Sequence, residues 1–387
     1  MSSRKTTVPA TVPASTHTRK PLYQASATTS ASKPTSQPRT SAGTSSSKQS
    51  AGVDFNRSRR RLSVMGGGGK GEEAELDGAK HEGEDHTEII RQVLEQTDID
   101  PNKPREVYKS FYSLSKVGFV PFNPDKVNQD RACEVAPFGR YKDRAFFGVF
   151  DGHGQNGHLV SQHVATTLPK FISRAKDLET NTQGALLTAF LACNSDLATS
   201  NKIDCTFSGT TAVTVYIDGS RVYCCNVGDS RAVLATETDG RLRAQPLSSD
   251  HKPDREDERR RIIASKGRVE ACRTASGVEI GPARVWLLTQ DVPGLAMTRS
   301  FGDLVAASVG VIARPEITIH DIGESDRILI MGSDGIWEFI TSQEAVDIVA
   351  GSATPQEACE RLVTEADRRW RNEEEVVDDI TALVIFF

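Results

Sequence analysis

Beyond about residue 105 the chain breaks into short apolar runs of two kinds. Phe146, Phe147, Val149 and Phe150 in FFGVFDGHGQ are aromatic or β-branched and end in glycines, the composition of a buried strand feeding a tight turn. TTAVTVYIDGSRVYCCNVGDSRAVLAT (210–236) holds two or three such runs, with the hairpin signal Asp218-Gly219 between the first two. DRILIMGSDG (326–335) and DDITALVIFF (378–387) read as two further strands. Elsewhere the period is helical. TSQEAVDIVAG opens with Thr341 and Glu344 in capping-box spacing and stops at Gly351. TPQEACERLVTEADRRW brings Thr354 as cap, Pro355 in the first turn and Glu357 as box partner. TEIIRQVLEQT spaces Ile89, Ile90, Val93 and Leu94 as a short amphipathic helix. Strands cluster and helices cluster without regular alternation. This predicts an α+β fold, antiparallel sheet with packed helices, instead of a doubly wound parallel sheet.

Charge divides the chain differently. Residues 1–65 carry 11 Lys or Arg against the single acid Asp54, together with 24 Ser or Thr, whereas the remaining 322 residues carry 36 bases against 51 acids. The first segment has too few large apolar residues to offset the entropy of ordering its backbone. The expected organisation is a disordered basic tail over 1–65, a linker with a short helix over 66–104 and a folded domain over 105–387. The tail also resembles an organelle transit peptide but lacks an apolar helical face. Cytoplasmic or nuclear residence is expected, with organelle import through the tail as the alternative. No apolar run is long enough to span a bilayer, and no secretory or Met-Gly acylation signal appears. RSRRR (57–61) in such a tail is no sign of a specific nucleic-acid partner. Ser63 in RRRLSV has Arg60 and Arg61 at the spacing a basophilic kinase reads, so that kinase class is an expected partner. The seven cysteines are scattered without a C-x-x-C, as reduced thiols would be.

Candidate chemistry lies in acidic turns. Asp151 ends an apolar run, with Gly152 and Gly154 leaving its backbone open to close approach. Asp130 follows a polar turn in NQDR, Asp229 sits in NVGDSR, Asp334 follows an apolar strand, and Asp378 and Asp379 precede another. Each alone can be a turn or capping residue. Crowded together, they would need a cation, and carboxylate and carbonyl oxygens suit Mg²⁺ or Mn²⁺ where zinc would call for Cys and His.

NQDR, FFGVFDGHGQ, SGTTA, NVGDSRAVLA, LSSDHKPDREDERRRI, LAMTRSFGD, MGSDGIWEF and DDITALVI occur in order. In this the chain, over about residues 115–387, resembles the PPM (PP2C-type) metal-dependent serine/threonine phosphatases, its plant and protist members in particular. The resemblance implies a four-layer α/β/β/α sandwich of two antiparallel sheets flanked by helices, acting as a monomer on phosphoprotein substrates. It also implies a binuclear Mg²⁺ or Mn²⁺ site and hydrolysis by an activated water without a covalent phosphoenzyme. Asp151 matches the bridging ligand, the Gly152 carbonyl and Asp130 further contacts, and Asp334 and Asp378 the second metal's carboxylates. Asp229 and Glu338 match a weaker third site. His153 matches the general acid for the departing oxygen. Asp379 departs from the family's pattern and is not counted as a ligand. Where many relatives carry a phosphate-binding arginine, this chain has Asp125, with Lys126 beside it as a substitute. The segment 268–293 lies where relatives vary in a flap that can influence substrate choice.

Two rival readings differ in class. Cys225 to Arg231 has the C-x5-R spacing of cysteine-dependent phosphatases, but Asp229 lies inside the loop and Cys224 precedes it. Cys224 and Cys225, successive on a strand, are expected to face opposite sides as packing residues. The other alternative is a catalytically inactive interaction module, against which stand the filled ligand positions.

Overall fold

The computed structural model describes residues 107–387, Asn201 and Ala275 apart. The tail, the linker with its expected helix at 87–97, and Ser63 lie outside the described residues. In chain order the strands are β1 (Ser110–Lys116), β2 (Asp130–Val135), β3 (Arg144–His153), β4 (Gly209–Thr210), β5 (Ala212–Asp218), β6 (Arg221–Val227), β7 (Arg231–Thr238), β8 (Arg241–Pro246), β9 (Gly267–Arg273), β10 (Glu279–Leu287), β11 (Pro293–Leu295), β12 (Phe301–Gly302), β13 (Glu316–Asp321), β14 (Asp326–Gly332) and β15 (Ile380–Phe386). The helices are α1 (Gly157–Ser173), α2 (Thr182–Thr199), α3 (Glu256–Ala264), α4 (Leu304–Ala307), α5 (Asp334–Trp337), α6 (Ser342–Val349) and α7 (Pro355–Glu373).

Two antiparallel sheets carry the fold. One runs β1-β15-β14-β7-β8; the other runs β12-β4-β3-β5-β6-β13, with β2 also paired to β3. Strand alternation sorts their side chains into layers. On β3, Phe146 and Phe150 pack with Val160, Val164 and Leu168 of α1, while Ala145, Phe147 and Val149 face Leu329 and Met331 of β14 and Leu383 and Ile385 of β15. Ile328, Ile330, Ala382 and Val384 point the other way, onto α6 and α7. The result is the expected helix, sheet, sheet, helix stack. Cys225 belongs to the outer core and Cys224 to the inter-sheet core, so the two neighbours do face opposite sides.

Local signals hold with two shifts of detail. Asp218 is still in its strand, paired with Arg221, and the hairpin turns at Gly219-Ser220 with Gly219 at φ +60°, a conformation glycine adopts without steric cost. Thr341 and Glu344 form the full capping box. At Thr354 the hydroxyl caps Glu357 as expected, but the Glu357 carboxylate reaches one residue further back, to the N–H of Ala353 at 2.8 Å.

The segment 268–293 forms a separate three-stranded sheet, β11-β10-β9, beside α3. α3 is itself tied to the chain after β11 through Glu258, which is fully buried and accepts from Arg261 at 2.6 and 2.7 Å and from Arg299 at 2.7 Å. Burial alone would raise its pKa, but these partners and the Thr298 hydroxyl overcome that and hold it well below the usual carboxylate range. Glu258→Ala leaves two guanidinium groups without their shared anion. A stability loss of about 3 kcal/mol is expected in urea unfolding at pH 7. In the parent protein this contribution is present above the carboxylate's ordinary pKa and lost only as pH falls through its depressed folded value.

Candidate active site

The acidic residues gather at one end of the sandwich because strand alternation and register put them there. Odd-numbered residues of β3 face the inter-sheet layer, and Asp151 is the next odd position after Val149. Asp130 on β2 is its register partner, Asp130↔Asp151, so the two carboxylates share one face of the sheet. The other sheet contributes from β14 and β15. Ser333 follows Met331 on the same face and donates to Asp130 Oδ2 at 2.6 Å, tying the two sheets together directly before Asp334. The Ser333 N–H donates to the Thr381 carbonyl and the Ser333 Oγ accepts from the Thr381 N–H, both at 3.1 Å, which fixes the entry of β15 and the preceding Asp378 and Asp379.

Crowding shows in the electrostatics. Burial, opposed by the Ser333 hydrogen bond and reinforced by the charges of Asp379 and Asp378, pushes the Asp130 carboxyl up to about 7. Gly152 is pressed close: a Cβ there would lie 2.3 Å from the Gly157 carbonyl oxygen and 2.7 Å from that of Gln129. Among the described residues no group of three or more Asp, Glu, His or Cys side chains is arranged to hold a metal ion as it stands. The donor set fits a hard divalent cation in kind: buried carboxylates from both sheets, a backbone cradle that excludes a side chain, and no thiolate.

His153 sits at the end of β3 with its Nε2 2.6 Å from Asp303 Oδ2. Its Nδ1 is buried and makes no hydrogen bond among the described residues. Burial would lower its pKa, but the Asp303 charge and hydrogen bond, with Asp151 and Asp229 beyond, hold it above the ordinary histidine value. Asp303 is itself buried, in a left-handed backbone conformation at φ +46°, and takes a 2.5 Å hydrogen bond from Ser300. It stands inside LAMTRSFGD, where the sequence alone gives it no role.

Other expected residues are placed less simply. Asp379, which accepts from the N–H groups of Gly118 and Gln129 at 2.8 and 2.9 Å, also holds the Lys126 ammonium. It clamps the loop leading into β2, and Lys126 is committed to it. Asp229 is fully buried between β6 and β7 and holds Lys252. Glu338, half-buried, ends α5. Arg231 is bound by Asp250 at 2.7 and 3.0 Å, and burial raises Cys225 well above the usual thiol pKa. Cys225→Ser is accordingly expected to leave turnover within about twofold while destabilising the core by about 1–3 kcal/mol, the cost of burying a hydroxyl. Kinetics and urea unfolding of the same preparation check both.

The fold and the site define a class, and comparison with known proteins agrees: residues 124–373 match the family model described as protein phosphatase 2C. The chain belongs to this family of metal-dependent serine/threonine phosphatases. It is 37% identical over 297 residues to "Probable protein phosphatase 2C 35" of Arabidopsis thaliana, covering 73% of this chain and 85% of that one. It is 39% identical over 280 residues to "Probable protein phosphatase 2C 34" of the same plant, covering 67% and 77%. Among solved structures, serine-threonine phosphatase 2C from Toxoplasma gondii superposes with a TM-score of 0.60 at 21% identity, over 73% of this chain and 96% of that one, a likeness of fold.

Proposed function

We propose that the protein hydrolyses phosphoserine and phosphothreonine in protein substrates with water as acceptor, without a covalent phosphoenzyme. Asp130, Asp151 and the Gly152 carbonyl on one sheet, with Asp334 and Asp378 on the other, would hold two Mg²⁺ or Mn²⁺ ions. Asp229 and Glu338 would serve a weaker third, which must displace Lys252. Bound there, the cations would supply Lewis-acid chemistry, neutralising the phosphoryl oxygens and lowering the pKa of a water. The observation that carries this reading is the pairing of Asp130 with Asp151: two buried carboxylates opposite one another in register are groups in want of a cation.

The remaining steps belong to the chain's own residues. The Asp303 contact at Nε2 orients the His153 ring and favours its protonated form, which leaves Nδ1 to protonate the departing serine or threonine oxygen. Lys126 would reach the phosphate only by leaving Asp379. The test is hydrolysis of a ³²P-phosphothreonine peptide with Mn²⁺ or Mg²⁺ and with EDTA, quenched in acid during the first turnover. Metal-dependent release of phosphate with no label on the protein is expected. Label retained on the protein, or full activity in EDTA, overturns the mechanism.

A further inference from the structure

Thirteen large apolar side chains are exposed among the described residues, and five of them gather on two neighbouring segments: Val117, Phe119, Phe122 and Val127 on one, Val376 on the other. These segments lead directly into Asp130 and Asp378. They are stitched together, since Phe119 and Val377 exchange both backbone hydrogen bonds at 2.7 Å and Asp379 holds Gly118, Lys126 and Gln129. Phe122 is the extreme case. It stands at the tip of a turn closed by Asn123 N–H to the Val120 carbonyl at 3.1 Å, its side chain is fully exposed, and its backbone is left-handed at φ +65°. An exposed aromatic ring in a conformation that bulky residues avoid gains nothing from the fold around it.

The charge beside this patch is net negative: its bases are paired, Lys116 and Arg371 with Asp367 and Lys126 with Asp379, and the Arg371 guanidinium lies 5.9 Å from the Phe119 ring. Residues 371–379 contain one base and five acids, and the base, Arg371, is bound to Asp367 at 2.9 Å. Glu373 and Glu375 are exposed next to Val376. The chain itself contains the complementary peptide. Arg59, Arg60 and Arg61 precede Leu62, Ser63 and Val64, placing three positive charges and two apolar side chains around one hydroxyl. The 43 residues from Val64 to Glu106 can span well over 100 Å when extended, at roughly 3.3–3.6 Å per residue, so tether length does not forbid the encounter.

We infer that this rim selects phosphoserine peptides with preceding arginines and apolar flanking residues, and that the chain's own residues 59–64, phosphorylated at Ser63, are such a substrate. The inference rests on the phosphatase reading above. A basophilic kinase transfers the phosphoryl group from a nucleoside triphosphate to Ser63. The phosphatase then breaks the P–O bond to the serine oxygen with water, returning the hydroxyl and inorganic phosphate. Phe122 and its neighbours take Leu62 or Val64, and Glu373 and Glu375 face the arginines.

The test uses the full chain with Mn²⁺ and three synthetic peptides: residues 57–67 phosphorylated at Ser63, the same peptide with alanine at 59, 60 and 61, and one with serine at 62 and 64. Nitrophenyl phosphate is assayed in parallel. Either altered peptide should lose about tenfold in kcat/KM. Phe122→Gly, which suits the left-handed backbone, should lower the ratio of parent-peptide to nitrophenyl phosphate kcat/KM by about the same factor, and should not discriminate further against the serine-flanked peptide. Equal rates on all three peptides, or an unchanged ratio in the variant, overturn the inference alone. No metal-dependent hydrolysis of nitrophenyl phosphate sinks the phosphatase reading and this with it. Self-association abolished by Phe122→Gly with peptide kinetics unchanged would assign the ring to a contact between copies of the chain, and the inference would be wrong.

Discussion

Asp151→Asn is expected to reduce metal-dependent hydrolysis of a phosphothreonine peptide by about a thousandfold, and Asp334→Asn to do nearly as much. The two residues reach the site from different sheets, Asp151 from the end of β3 and Asp334 from the turn after β14. Neutralising either removes a hard anionic donor without changing the shape of the turn that carries it. Lewis-acid stabilisation of a phosphoryl transition state is worth several kcal/mol, and about 4 kcal/mol corresponds to a factor of roughly a thousand. Because Asp130 is crowded by carboxylates, neither variant should fold less well than the parent in EDTA. The check is turnover across a Mn²⁺ titration, beside thermal unfolding with and without metal. Parent-like turnover in Asp151→Asn at moderate Mn²⁺ would remove this residue from the site.

The second large effect concerns His153, and it should depend on the leaving group. A serine or threonine alkoxide is strongly basic and must gain a proton as the P–O bond breaks, whereas nitrophenolate leaves almost unassisted. His153→Ala should lower peptide turnover by roughly 10²- to 10⁴-fold, the scale of a positioned general acid, with a distinctly smaller loss on nitrophenyl phosphate at saturating metal. Asp303→Asn keeps the shape of the partner but weakens its hold on Nε2, so it should show a smaller loss with the same substrate dependence. Metal affinity must be measured in each variant, because Gly152 is the neighbouring residue and a displaced carbonyl would depress both substrates. Equal losses on the two substrates with metal affinity intact would mean that His153 positions water or phosphate and donates no proton.

Much of this architecture was legible from local chemistry. Aromatic and β-branched runs marked β3, β5, β6, β14 and β15, and Thr341 with Glu344 marked the start of α6 before any tertiary contact was considered. The acidic turns were equally visible, since glycine beside aspartate at a strand end is a local pattern. The partners across space were not. Asp303 lies 150 residues from His153, and nothing in the local run TRSFGD announces that contact. Lys126 read as a substitute for the phosphate-binding arginine because its counter-ion, Asp379, lies 253 residues away, just before β15. Lys252 masks Asp229 in the same manner. Ser333 could have been found: it continues the odd-numbered face of β14 past Leu329 and Met331, and that alternation alone directs it to the inter-sheet layer where Asp130 lies.

The pairing of β1 with β15, Ser110 opposite Phe386, bears on how the protein comes to be active. During synthesis β1 emerges early and must wait for almost the whole domain before its neighbour exists. β14 can meet β7 sooner, but its second partner is also β15. Contacts this distant in sequence form slowly, and a waiting strand exposes its edge in the meantime. Asp378 enters with β15, so the segment that completes the sheet also delivers a carboxylate expected at the active site. A nascent chain would carry Asp130, Asp151 and His153 for most of its translation yet remain unable to remove a phosphate until that strand had docked.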